Sequence, residues 1–271
     1  MNTAENPDMG TSDKQAQRIY FIDNLRVFLT MLVVAHHSII TYASVGGWYY
    51  REGRQDDVTT ILGGMFTGVN QAFFMAFFFM ISAYFTVPSL RKKGAGVFLK
   101  DRLIRLGIPI IVYDFLINPV IVFTLKARLQ DVHMPFSSFW LGYVKGYDSF
   151  ATGPLWFVSA LLLFSFAYAA VWALSGKGRS VEQDSKPLPG TGALIMFCFA
   201  CGAAAFVVRL WMHVGEDFGV TNYQIAYFVL YIALFAAGIA AYRGDWFMSF
   251  PERSGKRWFI AAHVFIVLMP V

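Results

Sequence analysis

Chemistry in this sequence concentrates on three ionisable residues, Arg26, His36 and His37, within the run D-N-L-R-V-F-L-T-M-L-V-V-A-H-H-S-I-I-T-Y from Asp23 to Tyr42. The run begins with charge, turns apolar, and then sets two histidines side by side. At about 100° per residue, the eleven steps from Arg26 to His37 come within roughly 20° of whole turns, so both side chains share one helix face. His36 is turned about 80° from that face, which favours His37 as the working residue. Along the axis Arg26 and His37 are about 16 Å apart. With Arg26 at a membrane edge, His37 falls near the middle of a hydrocarbon core about 30 Å thick. An ionisable group at that depth is costly and is usually kept for a task.

A neutral imidazole can take a proton from a hydroxyl brought to it through a cavity. An arginine at the edge of the same face can pair with a phosphate or carboxylate. Together they predict a donor with an anionic head at the cytoplasmic edge and a reactive end reaching the histidine. The plainer reading has both histidines hydrogen-bonded to neighbouring helices and Arg26 as a topology anchor.

The elements that must position these groups are membrane spans. Of the 271 residues, 57% are hydrophobic and 14% charged, with a mean hydropathy of +0.52, where a soluble domain carries about 25% charge. The fold class is all-α, a polytopic transmembrane helix bundle whose first partner is the lipid bilayer. The net charge of +5 does not point to nucleic acid, because the basic residues gather at the ends of apolar segments, where they signal topology. Cys198 and Cys201, the two cysteines, lie inside one apolar stretch and read as small packing residues rather than a disulfide or zinc framework.

Residues 1–17 read as a disordered cytoplasmic tail and residues 18–271 as the membrane domain. Six spans are predicted at about Leu25–Val45, Ile61–Val87, Leu106–Leu125, Gly153–Leu174, Thr191–Met212 and Asn222–Tyr242. A seventh apolar run, Trp258–Val271, has fourteen residues, short of the roughly 20 needed to cross, so the sequence reads as truncated inside it. The third span carries Pro109 and Pro119, which predict breaks in the helix. Such breaks persist at membrane depth only beside protein or a water-filled cavity, so Asp114 is expected to face a cavity or a neighbouring helix.

Orientation follows from Lys and Arg. Sixteen of the 22 fall on one side, in the tail with the first helix start and in the loops 91–105, 175–190 and 243–257, and five on the other. The excess places the N-terminus and these segments in the cytoplasm. Arg102 and Arg105, neighbours at i and i+3, then lie at the cytoplasmic mouth, as an anion site or as lipid-headgroup contacts. Arg209 ends the fifth span at the outer side, as a snorkelling side chain or as a holder of an anionic acceptor. Trp156 opens the fourth span as an interface anchor or a site residue. His133, His213 and His263 show no metal-ligand spacing, so no metal is predicted.

Five stretches, in order, resemble the integral-membrane acyltransferase 3 family. R-V-F-L-T-M-L-V-V-A-H-H resembles its arginine, ten residues, histidine signature. F-F-F-M-I-S-A-Y resembles its second-span motif, with Ala83 where glycine is usual. F-L-K-D-R-L-I-R-L-G-I-P resembles its R-x-x-R-L-x-P stretch. G-P-L-W-F-V and F-V-V-R-L-W are similar to a branch acting in glucan biosynthesis. The resemblance implies acyl transfer, of acetyl or succinyl type, from acyl-CoA to a carbohydrate hydroxyl. It implies no bound cofactor, with acyl-CoA as co-substrate, a carbohydrate acceptor, and a multi-pass place in the inner cell membrane. His37 would be the catalytic histidine, with His36 one residue away, and Arg26 its partner; Arg102 and Arg105 would be donor-side arginines. The family has about ten spans. A different class is a carrier of an anionic metabolite or lipid, with Arg26, Asp114 and His37 along its pathway; the absence of a visible inverted repeat counts against it. An inactive fragment is a third reading.

Overall fold

The structure is a computed structural model and describes residues 20–43, 46–52, 56–131, 133–148, 150–175 and 187–268. The predicted tail at 1–17 and most of the 175–190 segment lie outside the described residues. Among the described residues every regular element is helical, apart from one β-bridge between Phe218 and Tyr223. Six helices are long and apolar enough to cross a membrane, and the chain is a multi-pass membrane protein.

We number the helices α1 (Tyr20–Tyr42), α2 (Asp57–Lys93), α3 (Ala95–Leu129), α4 (Phe136–Lys145), α5 (Trp156–Leu174), α6 (Thr191–Arg209), α7 (Phe228–Arg243), α8 (Trp246–Ser249) and α9 (Glu252–Leu268). Asp56 caps α2 by accepting from the Thr59 backbone N–H at 2.9 Å. Two sequence expectations are corrected. The basic stretch 91–105 is not a loop. Lys and Arg are good helix formers, so α2 runs through Lys93 and α3 starts at Ala95, with Gly94 alone between them at φ +73°, a conformation that suits glycine. Nor do the prolines break the third span. The helix widens into π-turns at Leu103–Gly107 and Tyr113–Ile117, just before Pro109 and Pro119, and these turns absorb the missing donors and ring bulk. The last apolar run is helical from Glu252, six residues before Trp258.

The core lies between α2 and α7, whose interface is the most extensive in the molecule. Here Phe79, Ala83, Tyr231 and Phe235 are buried. A Cβ on Gly238 would sit 2.1 Å from the Met80 carbonyl oxygen and 2.9 Å from the Ala83 methyl, so the two backbones touch, as small residues permit between membrane helices. Ala83, found where the family motif has glycine, is thus accommodated by a glycine on the facing helix. α1 joins α2 in the same manner at Gly63, against the Ala43 carbonyl. α3 reaches the bundle through α5 and the end of α2.

Candidate active site

Between α1, α2, α6 and α7 lies a cleft of about 1490 Å³. Its lining comes from the C-terminal part of α1, the N-terminal half of α2, the start of α5, the C-terminal half of α6, and the N-terminal half of α7 with the segment before it. All of these are the ends opposite the basic segments 91–105 and 243–257, so the cleft belongs to the face away from them. Along α6 it reaches from Arg209 to Phe197, twelve residues or about 18 Å, which is past the midpoint of a hydrocarbon core.

His36 and His37 both line the cleft. His36 is the more buried, 7% exposed, and packs against Phe74 with ring centroids 5.0 Å apart. His37 lies under Trp48, the rings stacked at 3.9 Å and 22°. The two imidazoles meet edge to face at 5.6 Å. Neither Nδ1 has a hydrogen-bond partner among the described residues, though both are buried. A buried polar atom left unpaired is costly, and such atoms gather where a group is kept for chemistry. On α1 His37 stands five residues from the C-terminal end, about 8 Å, so it belongs to the cleft's half of the helix rather than its centre. The difference from expectation arises because α1 begins six residues before Arg26.

The rest of the wall suits a ring-shaped polar ligand. Trp156 stacks on Tyr231 at 5.5 Å, and Gln71 Nε2 donates to the Tyr231 hydroxyl at 3.5 Å. Arg209 donates from Nε to the Ala226 carbonyl at 3.4 Å, with its guanidinium 5.4 Å from the Tyr227 ring centre. Cys198, Cys201 and Asp217 also line the cleft.

Along one wall of the cleft, where Tyr49, Asn118 and Ala151 line it, a polar network ties three segments together. The Tyr49 hydroxyl donates to Asn118 Oδ1 at 2.7 Å and lies 2.8 Å from the Tyr113 hydroxyl. Its one proton is committed, so Tyr113 is the donor of that pair. Asn118 Nδ2 donates to the Tyr143 hydroxyl at 3.1 Å, and Tyr143 donates to Asp114 Oδ1 at 3.1 Å. Tyr147 donates to Asp114 Oδ2, and the Ala151 backbone N–H to Oδ1 at 3.2 Å. Burial is the first cause that pushes the Tyr49, Tyr143 and Tyr147 phenols above their ordinary range. They therefore stay protonated, as donors.

The profile of an acyltransferase domain matches residues 19–271. The chain belongs to the acyltransferase 3 family. Proteins called glucans biosynthesis protein C from Salmonella typhi, Salmonella enteritidis PT4 and Salmonella gallinarum are each 24% identical to it over 243 residues. The match covers 85% of this chain and 60% of theirs, so the chain spans about 60% of the length of the curated relatives it matches. No solved structure matches it significantly.

In this acyltransferase 3 chain the cleft brings together His36, His37, Trp156 and Arg209. Arg26, Arg102, Arg105 and Asp114 do not line it. Arg26 is exposed, 3.9 Å from the Asp23 carboxylate. Arg102 is half-buried at the start of α3, donating to Thr86 Oγ1 at 3.0 Å with its guanidinium over Phe98, and Arg105 is exposed. Asp114 is 1% exposed and held by three donors. Trp48 and Tyr49, in the loop after the first predicted span, are drawn into the site. The signal that marks them is the pair of glycines before Trp48, where the chain folds back toward α1. Asn118, Tyr143 and Tyr147 carry no comparable signal, because their contacts cross 25 or more residues.

Proposed function

We propose that this chain forms the acceptor side of a membrane O-acyltransferase that moves an acetyl- or succinyl-type group from acyl-CoA to a carbohydrate hydroxyl. The observation that carries this reading is the pair of histidines, with unpaired buried Nδ1 atoms, in the wall of a deep cleft lined by stacking aromatics. The family supports acyl transfer, and the glucan-biosynthesis names of its relatives support a sugar acceptor.

His37 takes the proton of the acceptor hydroxyl, and the oxygen attacks the thioester carbonyl. A tetrahedral oxyanion forms and collapses to the ester. The coenzyme A sulfur leaves as thiolate and regains the proton from the imidazolium. His36, edge-on to His37, holds the cationic imidazolium less well than a carboxylate would. That favours return of the proton to the leaving group. Trp156, backed by the buried Tyr231, offers a face for a sugar ring, and Arg209 holds an anionic group on the acceptor. Arg26, Arg102 and Arg105 belong to the opposite, basic face, where they pair with the phosphates of acyl-CoA. With the basic face cytoplasmic, the N-terminus is inside, the cleft opens outward, and the membrane is the inner cell membrane. The carrier reading needs Arg26 and Asp114 on the path of His37, and neither lines the cleft.

The test uses membranes containing the protein, acyl-CoA labelled in the acyl group, and glycan acceptor. Label passes into glycan with wild type and His36→Ala but not with His37→Ala, all three being inserted equally. Transfer that survives His37→Ala refutes the catalytic assignment. Uptake of labelled donor into sealed vesicles with no acylated glycan refutes the reaction.

A further inference from the structure

We infer that Asp114 is a positioning residue of the histidine site, acting through Tyr143, Asn118 and Tyr49 to clasp Trp48 against His37. The inference rests on the acyl-transfer reading for its kinetic consequence alone. Its structural consequence stands independently.

Direction in the network supports it. From Tyr113 through Tyr49, Asn118 and Tyr143, each donor points toward the carboxylate of Asp114. A carboxylate offers acceptors alone, so it suits three donors arriving at once. An amide in its place would turn an NH2 group toward Tyr143, Tyr147 or the Ala151 N–H, and at least one bond would be lost. The carboxylate has no cation partner among the described residues, and its donors are what make its burial tolerable.

The geometry of the segments supplies the second ground. Tyr49 follows Trp48 directly, so anchoring the Tyr49 hydroxyl limits where the indole lies, and the indole covers one face of His37 at 3.9 Å. The Trp48 and Tyr49 rings also meet edge to face at 5.4 Å. Gly153 closes the far side. At φ +45° its absent Cβ would lie 2.5 Å from the Tyr49 hydroxyl and 2.6 Å from that of Tyr113. The same carboxylate holds Ala151, in the segment leading to Trp156. One buried acid therefore ties the loop over His37 to the start of the helix that presents Trp156. His36 provides an internal reference, since it packs on Phe74 of α2 and not on Trp48.

The experiment compares wild type, Tyr49→Phe, Asp114→Asn and the double variant in membranes. Histidine modification by diethyl pyrocarbonate is followed at His36 and His37 by mass spectrometry, alongside acyl-transfer kinetics. In Tyr49→Phe and Asp114→Asn, His37 is modified severalfold faster while His36 keeps its wild-type rate. kcat falls about 10- to 100-fold, the scale of a displaced reacting group, with the KM for acyl-CoA unchanged. The double variant loses no more than the worse single one, because both substitutions open the same chain. Equal acceleration at both histidines would mean general loosening and would overturn the clasp. So would unchanged reactivity and kcat, and that result would leave acyl transfer standing. If wild type transfers no label but His37 is still selectively exposed in Tyr49→Phe, the acyl-transfer reading falls and the clasp stands.

Discussion

The closest approach in the fold makes the sharpest stability prediction. Gly238→Ala places a methyl 2.1 Å from the Met80 carbonyl oxygen and 2.9 Å from the Ala83 methyl. Ordinary carbon-to-carbonyl contacts begin at about 3.3 Å, so α2 and α7 must part by about 1.2 Å. The obstructing atom is backbone within a helix, and no rotamer change relieves it. Overpacking costs about 1–3 kcal/mol, and a backbone obstruction belongs at the upper end. At about 3 kcal/mol, the melting temperature of a chain this size falls by about 6 to 12 °C.

The assay is thermal unfolding of purified protein in a mild detergent, read by loss of the monodisperse species. Ala83→Gly in the same chain removes the 2.9 Å contact but not the 2.1 Å one, so it restores less than half of the loss. Alone, it lowers the melting temperature by about 1 to 4 °C, because glycine within a helix costs about 0.5–1 kcal/mol against alanine. A melting temperature within about 2 °C of wild type for Gly238→Ala, or complete rescue by Ala83→Gly, would refute the contact that sets the α2–α7 spacing. That spacing has a functional consequence, because residues of α2 between Gly64 and Met75 and of α7 between Leu230 and Leu234 line the cleft.

Three further outcomes are expected. Gly153→Ala drives a methyl into the Tyr49 and Tyr113 hydroxyls, so it lowers acyl transfer about 10- to 100-fold and exposes His37 to diethyl pyrocarbonate as Tyr49→Phe does; wild-type kinetics would contradict the packing at Gly153. A membrane-impermeant thiol reagent added outside intact cells labels Cys198 and Cys201, both in the cleft wall, and a Cys198→Ser, Cys201→Ser variant is unlabelled; labelling only in inverted vesicles would reverse the orientation. Stability is level through neutral pH and falls above about pH 10, the ordinary tyrosine pKa. The raised phenols of Tyr49, Tyr143 and Tyr147 stabilise the fold fully below that value, and the contribution is lost as pH climbs toward the folded values. Tyr147→Phe shallows that decline, and an unchanged slope counts against the phenol's part in the network.

The span order was legible because hydropathy acts locally, within one segment at a time. The effect of the prolines was not. Composition shows that a donor is missing at Pro109 and Pro119, but not that a π-turn will absorb it, since that depends on neighbours such as Trp140, whose Nε1 donates to the freed Phe115 carbonyl at 2.8 Å. His37 was legible by type as a histidine within a span, but its depth was not, because α1 begins six residues before Arg26. Choosing it over His36 by the face of Arg26 was a weaker argument, because both histidines line the cleft and Arg26 does not. Asp114 was legible as a residue with a task in its surroundings. Its partners were not, because they come from α4 and the segment after it, which lie outside the predicted spans. Ala83 shows the same limit: its fit depends on Gly238, 155 residues away in the chain.

The separation of the two charged sets constrains the proposed reaction. Arg26 and His37 share one face of α1, yet Arg26 lies outside the cleft and about 16 Å away along the axis. A donor anchored by its phosphates among the basic-face arginines must therefore extend its thioester through the bundle to meet an acceptor in the cleft. The alternative order, an acyl group released at the basic face and carried across alone, needs a second nucleophile beside Arg102. There the nearest polar partner is Thr86, fully buried and donating to the Ser82 carbonyl at 2.8 Å. That hydroxyl is committed to its own helix, so under the proposed reaction a single transfer at His37 is the simpler order. Thr86→Val separates the two orders. It leaves acyl transfer within about threefold of wild type if the hydroxyl only supports Arg102, a neutral hydrogen bond of about 0.5–1.5 kcal/mol being spread over binding and folding. Loss of transfer comparable to that in His37→Ala, with insertion and acyl-CoA binding intact, would make Thr86 an acyl carrier and overturn the single-step order.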